Sequence, residues 1–432
     1  MTSISLAAIL LTAMAPAPKG SASAGDWPQW RGPNRDGHST STGLLQKWPE
    51  GGPKLVYKMD KIGAGYGSPA IAAGKLIIMG TENLSKEKTD GDTEVVFCLD
   101  PLTGKQIWKT PIGDVQKFDR GGGSRGTPTI DGDSVYVLDP KGVLVCLKVA
   151  DGTKVWSTDL MSKEIGGGRP GWGFSESVLV DGNNVICTPG GGKGTLAALD
   201  KKNGNVVWRS EGIKDPAGYS SIIIAELEGV KHYIQQSMKG TFGVNPADGK
   251  VLWNVINKAY AVAVAPTPVF YKDHVFATAG YGAGCKLIKL SKSEAGIKAE
   301  EIYDSKIIAN HHGGVVQVDD YLYGSNERKW ICLKFVTTST SPAAEWISDK
   351  QDKGSVSYAD GCLYTYGESK GEVVLVKADP KDWKEAGRFT VPEKSELRPK
   401  SGRYWAHPVI ANGKLYLRDH EWLFCYDVTG KE

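Results

Sequence analysis

One pattern recurs eight times along this chain and constrains its fold more than any other feature. Eight short segments are each centred on an aromatic residue: KLVYKM, KQIWKT, TKVWST, NVVWRS, KVLWNV, EEIYDS, AEWISD and AGRFTV. Their central residues, Tyr57, Trp108, Trp156, Trp208, Trp253, Tyr303, Trp346 and Phe389, lie 43 to 52 residues apart, the length of four short strands with their turns. Between them runs a second landmark, a turn followed by an alternating apolar run, as in AAGKLIIM, DGDSVYVL, YKDHVFAT and ANGKLYLR. Several repeats place Asp or Asn and then a glycine just before the aromatic strand, as in LDPLTGKQIW and VNPADGKVLW. Such a glycine supplies the positive φ of a tight hairpin.

Radial repetition of four-stranded units predicts an all-β fold, an eight-bladed β-propeller of four-stranded antiparallel blades over residues 53–432. The eight aromatics are then docking positions between blades. The last repeat stops after LFCYDVTGKE, before any aromatic strand, whereas Tyr57 precedes any innermost strand. The eighth blade is therefore expected to be shared between the termini, with an N-terminal strand closing the ring and removing exposed sheet edges.

Composition agrees with many short strands and tight turns. Of 432 residues 54 are Gly and 13 Trp, and 23% are charged. The net charge is +3, with 52 basic and 49 acidic residues and no long basic run, so neither nucleic acid nor an anionic membrane is implied as a partner. The apolar run LAAILLTAMA is too short to span a bilayer, and Ala22-Ser23-Ala24 follows it as a small-residue cleavage site. Residues 1–24 read as a signal peptide and 25–52 as an N-terminal extension, which predicts a periplasmic or secreted protein with no membrane insertion after cleavage. The seven cysteines are spread singly through apolar runs and read as small buried hydrophobes.

The run D-x-x-T-G-x-x-x-W at Asp100 to Trp108, weaker at Asp200 to Trp208 and Asn245 to Trp253, resembles the tryptophan-docking motif of pyrroloquinoline-quinone (PQQ) propellers. DWPQWRGPNRDG, WGFSESVLVDGNNVICTPGG, NHHGGVV and YWAHPVIANGKLYLRD resemble the PQQ-binding-like propeller proteins exported by planctomycetes. The wider group includes quinoprotein alcohol dehydrogenases and an outer-membrane assembly lipoprotein, so the resemblance implies fold and export and leaves activity open. The dehydrogenases use an adjacent-cysteine disulfide, a Ca²⁺ held by Glu, Asn or Asp, and an Asp base. Here no two cysteines are adjacent, and the calcium and base residues match no motif of this sequence.

In an up-and-down ring all innermost strands run the same way, so the loops leading into them converge on one mouth. Those loops carry Tyr66, Arg120, Arg125, Arg169, Trp172, Glu176, Tyr219, Tyr260, His311, His312, Arg403, Trp405 and His407. Aromatic faces beside guanidinium groups suit a planar or sugar-like anionic ligand. Set against this, glycines permit tight blade joints, and Arg or His can bond carbonyls between blades. On an extended segment His311 and His312 would face opposite ways, one to the mouth and one between blades, which argues against a shared metal. Trp27 and Trp30 are expected to pack over a blade edge.

Two functions follow as expectations. One is an exported binding or scaffolding module that takes a small molecule, glycan or protein segment at the mouth, with no catalytic residue or metal identified. The other is a quinone-dependent alcohol or polyol dehydrogenase with an atypical site, using PQQ and Ca²⁺.

Overall fold

The computed structural model describes residues 25–82, 92–294 and 296–430. The expected signal peptide lies outside them. Apolar alternation between glycine-bearing turns gives strands and no helix among the described residues. They form eight antiparallel four-stranded sheets. Blades 1 to 7 are consecutive, spanning 70–114, 129–159, 179–209, 223–256, 269–305, 315–348 and 354–390. Blade 8 joins three strands of 409–427 to Lys54–Met59 as its outermost strand, in a register that runs from Lys54 opposite Asp427 to Met59 opposite Leu423.

The ring is held by its joints. Eight clusters of buried apolar side chains lie one at each blade-to-blade interface. The repeat motif explains how a joint forms. In blade 1 the Asp100 carboxylate accepts the backbone N–H groups of Leu102 and Thr103, both at 2.9 Å, which fixes the turn that ends at Gly104. The indole of one blade docks on the corresponding turn of the next. Trp108 donates to Val149 O, Trp156 to Lys201 O and Trp208 to Pro246 O, each at 3.0 Å, and Trp346 donates to Asp379 O at 2.9 Å. Gly152, Gly204 and Gly249 sit against these rings at positive φ, where a Cβ would come within about 2.6 Å of the indole. The aromatics Trp253, Tyr303 and Phe389 are buried in the same way, while Tyr57 on the closing strand is half-buried. All seven cysteines are free and buried.

The N-terminal extension packs over blade edges, and the edges are the inner ones: Trp27 is buried against the innermost strand of blade 1. The segment crosses the propeller axis, exchanging backbone hydrogen bonds between Trp27 and Ile71 in blade 1 and between Ser39, Gly37 and Tyr358 in blade 7. It then runs outward, with Leu44 bonded to the Asp360 carboxylate and Trp48 packed against Tyr364 and Phe389, before it enters the closing strand. The reason is geometric: the innermost strand of every blade has one unpaired edge facing the axis, and backbone groups there need partners.

Candidate functional site

The loops that lead into the innermost strands meet at one end of the axis around a cavity of about 500 Å³. Ten of the thirteen residues singled out in the sequence line it: Tyr66, Arg120, Arg125, Trp172, Tyr219, His311, His312, Arg403, Trp405 and His407. Three do not. Arg169 lies on the outside, donating to Gln116 Oε1 at 3.1 Å. Glu176 points between strands, where its carboxylate accepts Thr188 N at 2.7 Å and Thr188 Oγ1 at 2.8 Å. The neighbouring Ser175, like Glu176 in the loop ahead of the innermost strand, takes its place on the wall. Tyr260 is buried and donates to Gln236 Oε1 at 2.5 Å.

One side of the cavity is aromatic and cationic. The Arg125 guanidinium stands over Tyr66 at 5.4 Å and Phe118 at 4.8 Å, donates to Gly121 O at 3.0 Å, and is lowered in pKa by burial. Tyr66 packs against Trp405 with ring centroids 5.0 Å apart. Trp172 is steadied by an N–H bond to Asp119 at 2.9 Å, and its ring lies 6.1 Å from that of Tyr219. Arg403 is exposed and bonds only carbonyls of its own loop, those of Lys400 and Gly402. Arg120 has a single carboxylate nearby, Asp119 at 3.7 Å.

The opposite side is a chain of titratable groups. Lys353 Nζ lies 2.8 Å from His311 Nδ1 and 3.7 Å from Glu368, and His312 lies 3.8 Å from Glu368. Burial and then the Lys353 charge lower the His311 pKa, which keeps this imidazole neutral as the acceptor of the lysine proton. Burial pushes Glu368 up, but His312 and Lys353 outweigh it, and the carboxylate stays ionised. His407 is held at about 3, chiefly by burial and then by the Arg31 charge, so its Nε2–H donates to His312 O at 2.9 Å.

Both adjacent histidines reach the cavity, with ring centroids 5.8 Å apart and nearly perpendicular. Residues 309–313 form a bent loop and not the extended strand on which alternation would have separated them. The wall also includes residues outside the thirteen, among them Trp30, Tyr281, Lys353 and Glu368. Tyr281 and Glu368 sit in turns between the second and third strands of blades 5 and 7. In a four-stranded meander those turns reach the same end as the lead-in loops, which is the signal that would have found them. Tyr281 stacks on His311 at 4.5 Å and 15°.

The residues do not suit PQQ with Ca²⁺ as the dehydrogenases hold it. No group of three or more His, Cys, Asp or Glu that could hold a metal ion occurs among the described residues. Glu368 is already committed to Lys353 and His312, and no two cysteines are adjacent.

An eight-bladed ring with tryptophan-docked joints and an axial mouth defines the PQQ-repeat class of β-propellers. Within it the chain belongs to the family described as outer membrane protein assembly factor BamB, whose sequence profile matches residues 92–341. It is 23% identical over 224 residues to the BamB protein of Kangiella koreensis, covering 50% of this chain and 48% of that one. To the BamB of Yersinia pestis it is 32% identical over 117 residues, 26% of this chain and 27% of that one. These matches span about half the length of the curated relatives or less. BamB from Moraxella catarrhalis superposes with a TM-score of 0.59 at 14% identity, over 88% of this chain and 98% of that one. Quinohemoprotein alcohol dehydrogenase from Comamonas testosteroni gives 0.60 at 13%, over 95% and 82%. Both likenesses are of fold alone.

Proposed function

We propose that this propeller is an exported binding or scaffolding module, periplasmic or released, whose mouth captures an anionic ligand with a flat face. The observation that carries this reading is the pairing of aromatic walls with guanidinium groups that lack strong internal partners. Arg120 and Arg403 are exposed and keep N–H donors free for a carboxylate or phosphate, while Tyr66, Trp172, Tyr219, Tyr281 and Trp405 offer faces for stacking. A small molecule, a glycan or a protein segment could each present such a group. Membership of a family described as assembly factors supports the protein segment as one source. A dehydrogenase reading lacks comparable support, because the mouth has no acidic donor set.

The test is a screen of acidic and neutral oligosaccharides, acidic peptides, quinones and polyols, followed by titration of Trp172→Ala and Arg403→Ala. A lost charge-assisted hydrogen bond is worth roughly 1.5 to 3 kcal/mol, so Arg403→Ala should weaken an anionic ligand by roughly 10- to 150-fold. Melting should be unchanged, since both residues sit on loops outside the joints. If both variants bind as wild type, or lose binding only by unfolding, the mouth is structural.

A further inference from the structure

The segment on the axis has contacts unlike those of a passive N-terminal tail. Residues 25–41 touch the innermost strand of every blade or the loop leading into it. Trp27 pairs with Ile71 of blade 1, and Pro28 O accepts Ile130 N of blade 2 at 2.8 Å. The Arg35 guanidinium donates to Ser177 O at 2.5 Å and Val178 O at 3.2 Å in the loop leading into blade 3, and to Ile222 O at 2.6 Å beside blade 4. Trp30 Nε1 reaches Thr267 Oγ1 at 2.8 Å before blade 5, and Arg31 donates to Val315 O of blade 6 at 2.5 Å. Ser39 bonds Tyr358 O of blade 7 at 2.8 Å and, through its hydroxyl, Ile410 O of blade 8 at 2.7 Å.

Both arginines are buried. Arg35 donates through Nε, Nη1 and Nη2 to three backbone carbonyls and to the amide oxygen of Gln29, whereas Arg31 donates through Nη2 alone, to Asp36 O of its own segment at 3.0 Å and to Val315 O. A ring of free strand edges offers such oxygens at several angles around an axis. A rigid five-donor fork can satisfy several of them at once, whereas an ammonium on a flexible stem cannot reproduce the planar geometry. The closeness of fit is visible at Gly37, where a Cβ would lie 2.7 Å from both Arg31 Nη2 and Val316 Cγ1. The segment also shapes the mouth, since Trp30 lines the cavity and packs on His407 at 4.5 Å.

We propose that the axial channel is a peptide-binding groove, that residues 25–41 are its built-in ligand, and that recognition runs through the Arg35 guanidinium fork, with Arg31 four residues before it as a second anchor. The segment seals the channel beneath the mouth and leaves a pocket with Trp30 in its wall. The kind of partner this groove fits is thus a Trp-Arg-x-x-x-Arg segment folded into tight turns, with both arginines at positive φ, supplied here by the same chain. This holds whether or not the mouth binds a ligand.

The experiment inserts a protease recognition site between Thr42 and Gly43, both exposed, in the full chain, and cuts it after folding. Native mass spectrometry and gel filtration should show the fragment retained by a folded ring. A synthetic peptide of residues 25–41 should bind cut ring from which the fragment has been exchanged. The peptide with both arginines replaced by lysine should bind at least tenfold more weakly. Placing those substitutions in the peptide keeps the folding of the ring out of the comparison. Loss of the fragment from an intact ring, unfolding of the ring on cutting, failure to take up the peptide, or equal binding of the lysine peptide would each overturn the proposal.

Discussion

The glycine of the docking turn can be tested against a glycine of the same blade with nearly the same φ but no indole beside it. Gly249 and Gly229 both belong to blade 4 and both have positive φ, +74° and +78°. An added Cβ at Gly229 meets nothing within 4 Å, whereas at Gly249 it would lie 2.5 Å from Trp208 Cε3 and 2.9 Å from Cζ3. Gly229→Ala should therefore show only the cost of a left-handed conformation, about 1 to 2 kcal/mol. Gly249→Ala adds overpacking against a buried indole, about 1 to 3 kcal/mol more. The indole cannot simply retreat, because its N–H is bonded to Pro246 O at 3.0 Å. Urea unfolding with refolding verified should place the two variants in that order. Trp208→Ala alone should cost about 3 to 5 kcal/mol, and in that background Gly249→Ala should fall to the level of Gly229→Ala. Equal destabilisation by the two glycine substitutions, or additivity with Trp208→Ala, would refute the docking account.

Deleting Pro53 to Lys58 should open blade 8 and cause aggregation, read by light scattering, while trimming Gly430 to Glu432 should be mild. Unchanged melting of the strand deletion would contradict ring closure by that strand. N-terminal sequencing of exported protein should find Gly25 first, and intact Met1 in a soluble exported form would refute the cleavage site. Burial raises Glu176 to about 8, against hydrogen bonds from Thr188 and the Arg35 charge. The folded state then holds this proton more tightly than the unfolded chain, so its contribution to stability is full below about 4.5 and is lost as pH rises toward about 8, with a slope approaching 1.4 kcal/mol per pH unit. Glu176→Gln should flatten that part of the stability profile, and an unchanged slope would show the carboxyl to be ionised.

How far the sequence could be read follows from how local each determinant is. Blade number and ring closure were legible because Asp100, Gly104 and Trp108 act within one turn and the next joint, and the pattern repeats. The lead-in loops were legible as a set, since a meander sends every innermost strand the same way. Individual side chains were harder. Glu176 and Ser175 are neighbours in a loop ahead of the innermost strand, yet only Ser175 faces the cavity, and the course of that loop decides which. Tyr281 and Glu368 come from turns of the other phase, and their contribution depends on how far those turns lean inward, which no repeat encodes. The axial course of residues 25–41 was the least accessible. Trp27, Trp30, Arg31 and Arg35 announce burial by their type, but the partners of the segment as a whole lie in or beside eight separate blades, up to 386 residues away for the Asp26 to Asn412 contact. A motif that satisfies unpaired edges created only when the ring closes has no local counterpart in the sequence. The one prior signal is the physical demand itself: eight free strand edges around a narrow axis need donors and acceptors, and this segment alone carries two arginines close to two tryptophans ahead of the first blade.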